Sequence, residues 1–134
     1  MITQGEITIK TEGDIVAARR SVREAAMQAG FTATDVTRIV TAASELARNV
    51  FKYAGEGIMR WRGLEAGANP GLELQFVDHG PGIADINMAM QEGYSTSKGL
   101  GLGLPGVKRL MDEMEIQSAV GHGTTIILKK WRTS

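Results

Sequence analysis

Hydrophobic and polar positions change period along the chain, and each change marks an element. Glu6-Ile7-Thr8-Ile9-Lys10 alternates, as a half-buried strand does. From Asp14 the period lengthens. Ile15, Ala18, Val22, Ala25, Ala26 and Ala29 recur at helical spacing, with Asp14 placed as N-cap and Gly30 as stop, so a helix is expected over 14–30. Val36, Ile39, Val40, Ala43, Ala47, Val50 and Ala54 form a second stripe, which predicts a helix from Thr34 to about Tyr53, ended by Gly55 and Gly57. Ile58–Leu64 and Leu72–Val77 read as strands, joined by a loose hairpin over Glu65–Gly71. Residues 78–104 carry no long period and are expected to be loop, with one short helix around Asp85–Gln91. Pro105 suits the first turn of a helix running to about Glu113. Ile116–Val120 and Thr124–Trp131 are two last strands, joined tightly by Gly121-His122-Gly123.

The predicted order is β-α-α-β-β-(loop)-α-β-β. Strands and helices come in runs, which argues an α+β fold. The economical arrangement is a two-layer sandwich, a mixed and mostly antiparallel sheet covered on one face by helices. No repeat or boundary divides residues 1–134, and that length suits a single domain.

Charge and composition narrow the function. Lys plus Arg equal Asp plus Glu at 15 each, so the basic footprint of a nucleic-acid binder is missing. Cysteine is absent, which excludes disulfides, thiolate metal sites and cysteine nucleophiles, and fits a reducing compartment. No apolar run reaches a membrane span and the first ten residues lack a signal-peptide core, so a cytoplasmic location is expected. Glycine is 17 of 134 and bunches at 80–82, 99–106 and 121–123, which suggests backbone turns built around something.

Four clusters can carry chemistry. Glu45, Asn49 and Lys52 follow an i, i+4, i+7 spacing that sets a carboxylate, a carboxamide and an ammonium on one helical face. Such a face is ordinarily a solvated one. It could equally hold a general base beside an oxygen ligand for Mg²⁺. Asp78 ends a strand and precedes Gly80 and Gly82. That pattern is either an Asx turn or a carboxylate aimed at an exocyclic amine, with the glycines admitting a flat ligand. Gly101–Gly106 matches the spacing of a dinucleotide fingerprint but follows loop rather than strand, so that reading fails. What remains is a glycine-rich run after Lys98 that feeds a helix N-terminus, where backbone N–H groups favour phosphate. Gly121-His122-Gly123-Thr124 is by itself a hairpin.

Taken in order, Glu-x-x-x-Asn, Asp-x-Gly-x-Gly, a Gly-x-Gly-x-Gly run and Gly-x-Gly-Thr resemble the GHKL ATPases, which share the Bergerat nucleotide fold. The resemblance covers essentially the whole chain. Within it, Ser44-Glu45-Leu46-Ala47-Arg48-Asn49, Gly93-Tyr94-Ser95-Thr96-Ser97 and Gly103-Leu104-Pro105-Gly106-Val107-Lys108-Arg109 are similar to the switch protein-serine kinases, and most to the stressosome kinase group. The resemblance implies ATP and Mg²⁺ as cofactors. Asp78 would accept the adenine amino group, with Thr124 or Thr125 completing the contact. Gly80 and Gly82 would lie along base and ribose, and Asn49 would hold Mg²⁺. Lys52 and Lys98 would face phosphate, Gly99, Leu100, Gly101, Leu102 and Gly103 would form a lid, and Glu45 would be the catalytic base. It also implies a serine or threonine on a STAS-domain partner as acceptor, with a phosphatase or other effector downstream. The competing reading is an anti-sigma factor that sequesters a sigma factor and is released through phosphorylation of its antagonist. The sequence leaves monomer and homodimer both open.

Overall fold

The computed structural model describes residues 4–66, 69–82 and 103–132. The elements are β1 (Gln4–Ile9), α1 (Glu12–Gln28), α2 (Ala33–Asn49), a π-helical turn (Val50–Ala54), β2 (Gly57–Ala66), β3 (Asn69–Asp78), α3 (Gly103–Leu110), β4 (Glu113–Ser118) and β5 (Thr124–Trp131). The expected short helix at 85–91 lies outside the described residues. The fold is α+β, as the runs of like elements predict.

The sheet has five strands in the order β1-β2-β3-β5-β4, and every ladder is antiparallel. The parallel component expected of a mixed sheet is not found among the described strands. The helices cover one face. Ile9, Met59, Leu72, Leu74, Phe76, Ile126 and Leu128 point into it and are buried, and α2 is packed between α1 and α3. That position buries Ala42, Ala43, Ser44, Glu45, Leu46 and Ala47 in succession, so the middle of α2 has no solvated face.

Four of the departures from the expected boundaries have a local reason. The first helix starts at Glu12 because Thr11, not Asp14, is its N-cap. Thr11 accepts from the Asp14 N–H at 3.2 Å while the Asp14 carboxylate accepts from Thr11 N–H at 3.0 Å, a capping box. Hydrogen bonding from the Lys10 N–H, the main cause, holds the Asp14 carboxyl below its ordinary range. The β2–β3 hairpin is tight rather than loose. Glu65 pairs with Pro70 and Ala66 with Asn69, so strand pairing continues through most of the glycine-rich stretch. The third helix begins at Gly103 and ends at Leu110, and Glu113 already belongs to β4. Asp112 stops the helix there, since its backbone N–H bonds Lys129 O and its carboxylate accepts from Trp131 N–H at 2.7 Å. The second helix changes pitch at Val50 and finishes as a π turn before Gly55, whose φ is +80°.

Among the described residues no helix is long and apolar enough to cross a membrane.

Candidate functional site

The register of the sheet assembles the site. Ile9, Gly57, Asp78, Thr124 and Ser118 stand opposite one another across all five strands. Directly opposed residues share a face, and Ile9 is buried, so this row points to the helix layer. Thr125 belongs to the next row, with Val77 and Gln117, on the outer face. Thr124 therefore shares the face of Asp78, and Thr125 does not.

The end of α2 reaches the same row. A Cβ on Gly57 would lie 2.6 Å from Val50 Cγ1 and 3.2 Å from Asp78 Cβ, and one on Gly80 would lie 2.6 Å from Ala54 Cβ. The helix carrying Glu45 and Asn49 therefore runs, through the π turn, onto the Asp78 end of β3. Residues 33 positions apart, Glu45 and Asp78, end up in one neighbourhood of the fold.

Asp78 is half-buried and accepts from the Gly80 N–H at 2.9 Å through Oδ1. This is the Asx turn foreseen as the bland alternative, but it uses only one oxygen. Gly123 packs directly on the Asp78 carbonyl, and any Cβ there would displace the strand end. Gly82 has φ +80° and sits against the Ala119 carbonyl, while Pro81 O accepts from Gly121 N–H at 2.9 Å. The glycines of 80–82 and 121–123 thus lock two loops together. Part of their requirement is internal packing, which the expectation of a purely ligand-facing role overlooks.

Glu45 departs most from the appearance of its sequence. A position opposite an apolar stripe should be solvated, yet Glu45 is 9% exposed. Its Oε1 accepts from Arg48 Nη1 at 2.9 Å, and the Arg48 side chain is half exposed. A carboxylate held this far from water needs a partner, and Arg48, one turn along the helix, supplies one. Asn49 is half-buried at the last α-helical position. Lys52 lies beyond the change of pitch. The π turn follows i+5 hydrogen bonding, a pitch that the i+7 spacing from Glu45 does not assume. Lys52 is exposed, with its ammonium 5.3 Å from the centroid of the Tyr53 ring. Gly103 is buried at the start of α3 with φ +71°. Lys98, Gly99, Leu100, Gly101 and Leu102 lie outside the described residues.

Two side chains that sequence reasoning missed join this neighbourhood. Arg48 could have been found from its i+3 spacing to Glu45. Ser118 meets Thr124 Oγ1 at 2.8 Å, and hairpin register was the available signal, obscured because the strand was expected to run on to Val120.

Comparison with known proteins agrees with this arrangement. The family model described as histidine kinase-like ATPase domain matches residues 9–130. The chain belongs to that family and is an ATP-using domain. It is 50% identical to the serine/threonine-protein kinase RsbT of Bacillus subtilis over 131 residues, which cover 98% of each chain. It is also 35% identical to an anti-sigma F factor of Clostridium kluyveri over 121 residues, covering 84% of this chain and 82% of that one. A crystal structure of the RsbU and RsbW domains of a Mycobacterium tuberculosis protein superposes with a TM-score of 0.63. That match covers 97% of this chain and 34% of the other at 21% identity, a likeness of fold.

Proposed function

We propose that this chain is a protein-serine/threonine kinase that transfers the γ-phosphoryl group of Mg-ATP to a hydroxyl on a STAS-domain partner in a bacterial stress (stressosome) switch. The observation that carries the reading is the buried Glu45 carboxylate on a helix that ends at Asp78. Adenine lies at Asp78 and Thr124, and the phosphates lie toward α2 and the N-terminus of α3. The acceptor oxygen attacks the γ-phosphorus as its proton passes to Glu45. The bond to the bridging oxygen breaks and ADP departs. Positioning and charge neutralisation do most of the work in such a transfer. Arg48 keeps the Glu45 carboxylate in one orientation while it waits for the hydroxyl.

The donor set suits Mg²⁺ held in part by the nucleotide. Among the described residues no three His, Asp or Glu side chains converge on a point, whereas the Asn49 carboxamide offers a single oxygen. Mg²⁺ is commonly bound by one or two protein oxygens with phosphates and waters completing the shell. When bound, it would neutralise the charge on the phosphates. The chain works in the cytoplasm, where ATP is at hand, and a phosphatase or other effector acts downstream.

The anti-sigma F relatives, at 31–35% identity, support a second reading, in which sequestering a sigma factor is the main output. Mass spectrometry of STAS-domain proteins incubated with the chain and Mg-ATP separates the two. Phosphoserine or phosphothreonine on a STAS protein is expected. Its absence, together with capture of a sigma factor by the chain, would favour the anti-sigma reading.

A further inference from the structure

Helix α2 carries the same acid–arginine spacing twice, ten residues apart. Asp35 pairs with Arg38 at 3.1 Å and Glu45 with Arg48 at 2.9 Å, each at i and i+3. In both pairs the carboxylate is buried and the arginine half exposed. Their surroundings differ. Lys130 gives Asp35 a second cation at 3.9 Å and ties it to Asp112, so Arg38 belongs to a structural network. Arg48 makes no other hydrogen bond or ion pair among the described residues, and its charge is directed at Glu45.

Glu45 is also the residue whose orientation matters to the chemistry. A general base works only while its oxygen stays within hydrogen-bond reach, about 2.6–3.2 Å, of the group it deprotonates. A glutamate side chain turns about three bonds, and a misplacement of about 1 Å can cost ~10²-fold in rate. The structure assigns Arg48 the part of a positioning residue that acts on the transfer step alone: by holding Oε1 through Nη1–H, it keeps the Glu45 carboxylate in line for the acceptor hydroxyl while touching neither nucleotide nor acceptor. This deepens, and rests on, the reading of Glu45 as the base. The proton passes from the hydroxyl to Glu45, and Arg48 exchanges none, because a guanidinium stays charged throughout. Arg48 therefore has no task once the Glu45 carboxylate is gone. Arg38, with the same spacing and exposure, has no task in transfer at all.

Single-turnover transfer from Mg-ATP to the STAS-domain acceptor tests this, with calorimetry for nucleotide affinity and melting curves for the fold. Arg48→Met keeps the side-chain stem and removes the charge. Its transfer rate should fall about ten- to a hundredfold, while Mg-ATP affinity and the half-saturating acceptor concentration stay within about twofold. Arg48→Lys restores a cation without the planar fork and should recover part of the lost rate. Arg38→Met, the internal control, should lose stability yet transfer at the parental rate. The decisive comparison is made in chains that lack the base. Glu45→Ala and the double variant Glu45→Ala/Arg48→Met should be equally slow, since the effects of coupled residues do not add. That pair leaves no buried Glu45 carboxylate unpaired, so it decides the matter even if Arg48→Met alone fails to fold. A further loss of more than about threefold in the double variant would overturn the positioning role. So would a parallel loss of ATP affinity in Arg48→Met, no recovery with lysine, or an equal loss of transfer in Arg38→Met. The reading beneath it fails separately: parental transfer by Glu45→Ala would remove the base itself.

Discussion

Each end of α2 lies beside a carboxylate, one buried and one half-buried, and the fold treats the two in opposite ways. At its start, Asp35 is 8% exposed and enclosed by cations. Arg38 Nη1 lies 3.1 Å away and Lys130 Nζ 3.9 Å, and Lys130 also reaches Asp112 at 3.5 Å. Asp112 in turn accepts from Trp131 N–H. This network joins α2, β5 and the α3–β4 junction, and it is closed on itself. Past the other end of the helix, Asp78 accepts one backbone N–H through Oδ1, and Oδ2 has no hydrogen-bond partner among the described residues. A carboxylate can accept about four hydrogen bonds. The difference lies in charge: Arg38 and Lys130 offset Asp35 and Asp112, whereas no cation among the described residues pairs with Asp78. The contrast separates a clamp from a site where sequence alone shows only acidic residues.

Substitutions at the two ends should therefore fail in different assays. The largest effect is expected at Glu45. Glu45→Ala should lower phosphoryl transfer to the partner by about 10²–10⁴, the usual contribution of a positioned base. A loose, dissociative transition state asks less of a base, which favours the lower part of that range. Mg-ATP affinity should stay within a few-fold, and the half-exposed Arg48 left behind can be solvated. Single-turnover transfer and calorimetry on the same preparation test this. Parental transfer rates would return Glu45 to a purely structural role.

Next comes Asp78→Asn. The Asn oxygen can still accept from Gly80 N–H, so the turn should survive and the melting temperature should hardly move. Losing the charge should weaken ATP by about 1.5–3 kcal/mol, roughly ten- to more than a hundredfold. Nucleotide titration reads this directly, and unchanged affinity in a folded variant would remove Asp78 from the site.

The smallest effect on function, and a clear one on stability, is expected from the clamp. Lys130→Met keeps the buried stem and removes the charge that Asp35 and Asp112 share. Because Arg38 still pairs Asp35 and Asp112 is 40% exposed, the cost should be about 1–3 kcal/mol, below that of a fully buried broken pair. Chemical denaturation should register the loss while ATP affinity stays within about twofold. A variant that lost nucleotide binding in parallel would mean that the two ends are coupled and the contrast is false.

Much of the fold was legible in the residues. Periods of two and of three to four, with Gly30 and Gly55 as stops, located every described strand and α-helix. Boundaries slipped where local chemistry competed with pattern. Thr11 out-caps Asp14 because the capping box satisfies two backbone donors at once. Glycine and Pro70 looked like loop, yet Pro70 sits in a strand where its carbonyl accepts from Arg132 N–H. For the site, order and spacing of motifs pointed to Glu45, Asn49, Asp78 and Thr124 before any coordinate. The π turn that carries Lys52 was not foreseen, since no pattern of apolar residues announces one.

Sequence by itself determined the classes of chemistry on offer: acceptors at Asp78 and Thr124, a carboxylate and carboxamide one turn apart, glycines where loops must pack closely, and no thiol. Those are properties of residue types and short spacings, which a chain carries whether folded or not. Burial and register were decided only by tertiary structure, because each depends on partners distant in the chain. Glu45 is dry because α1 and α3 flank α2. Thr124 rather than Thr125 faces the helices because antiparallel pairing fixes which residues oppose Asp78.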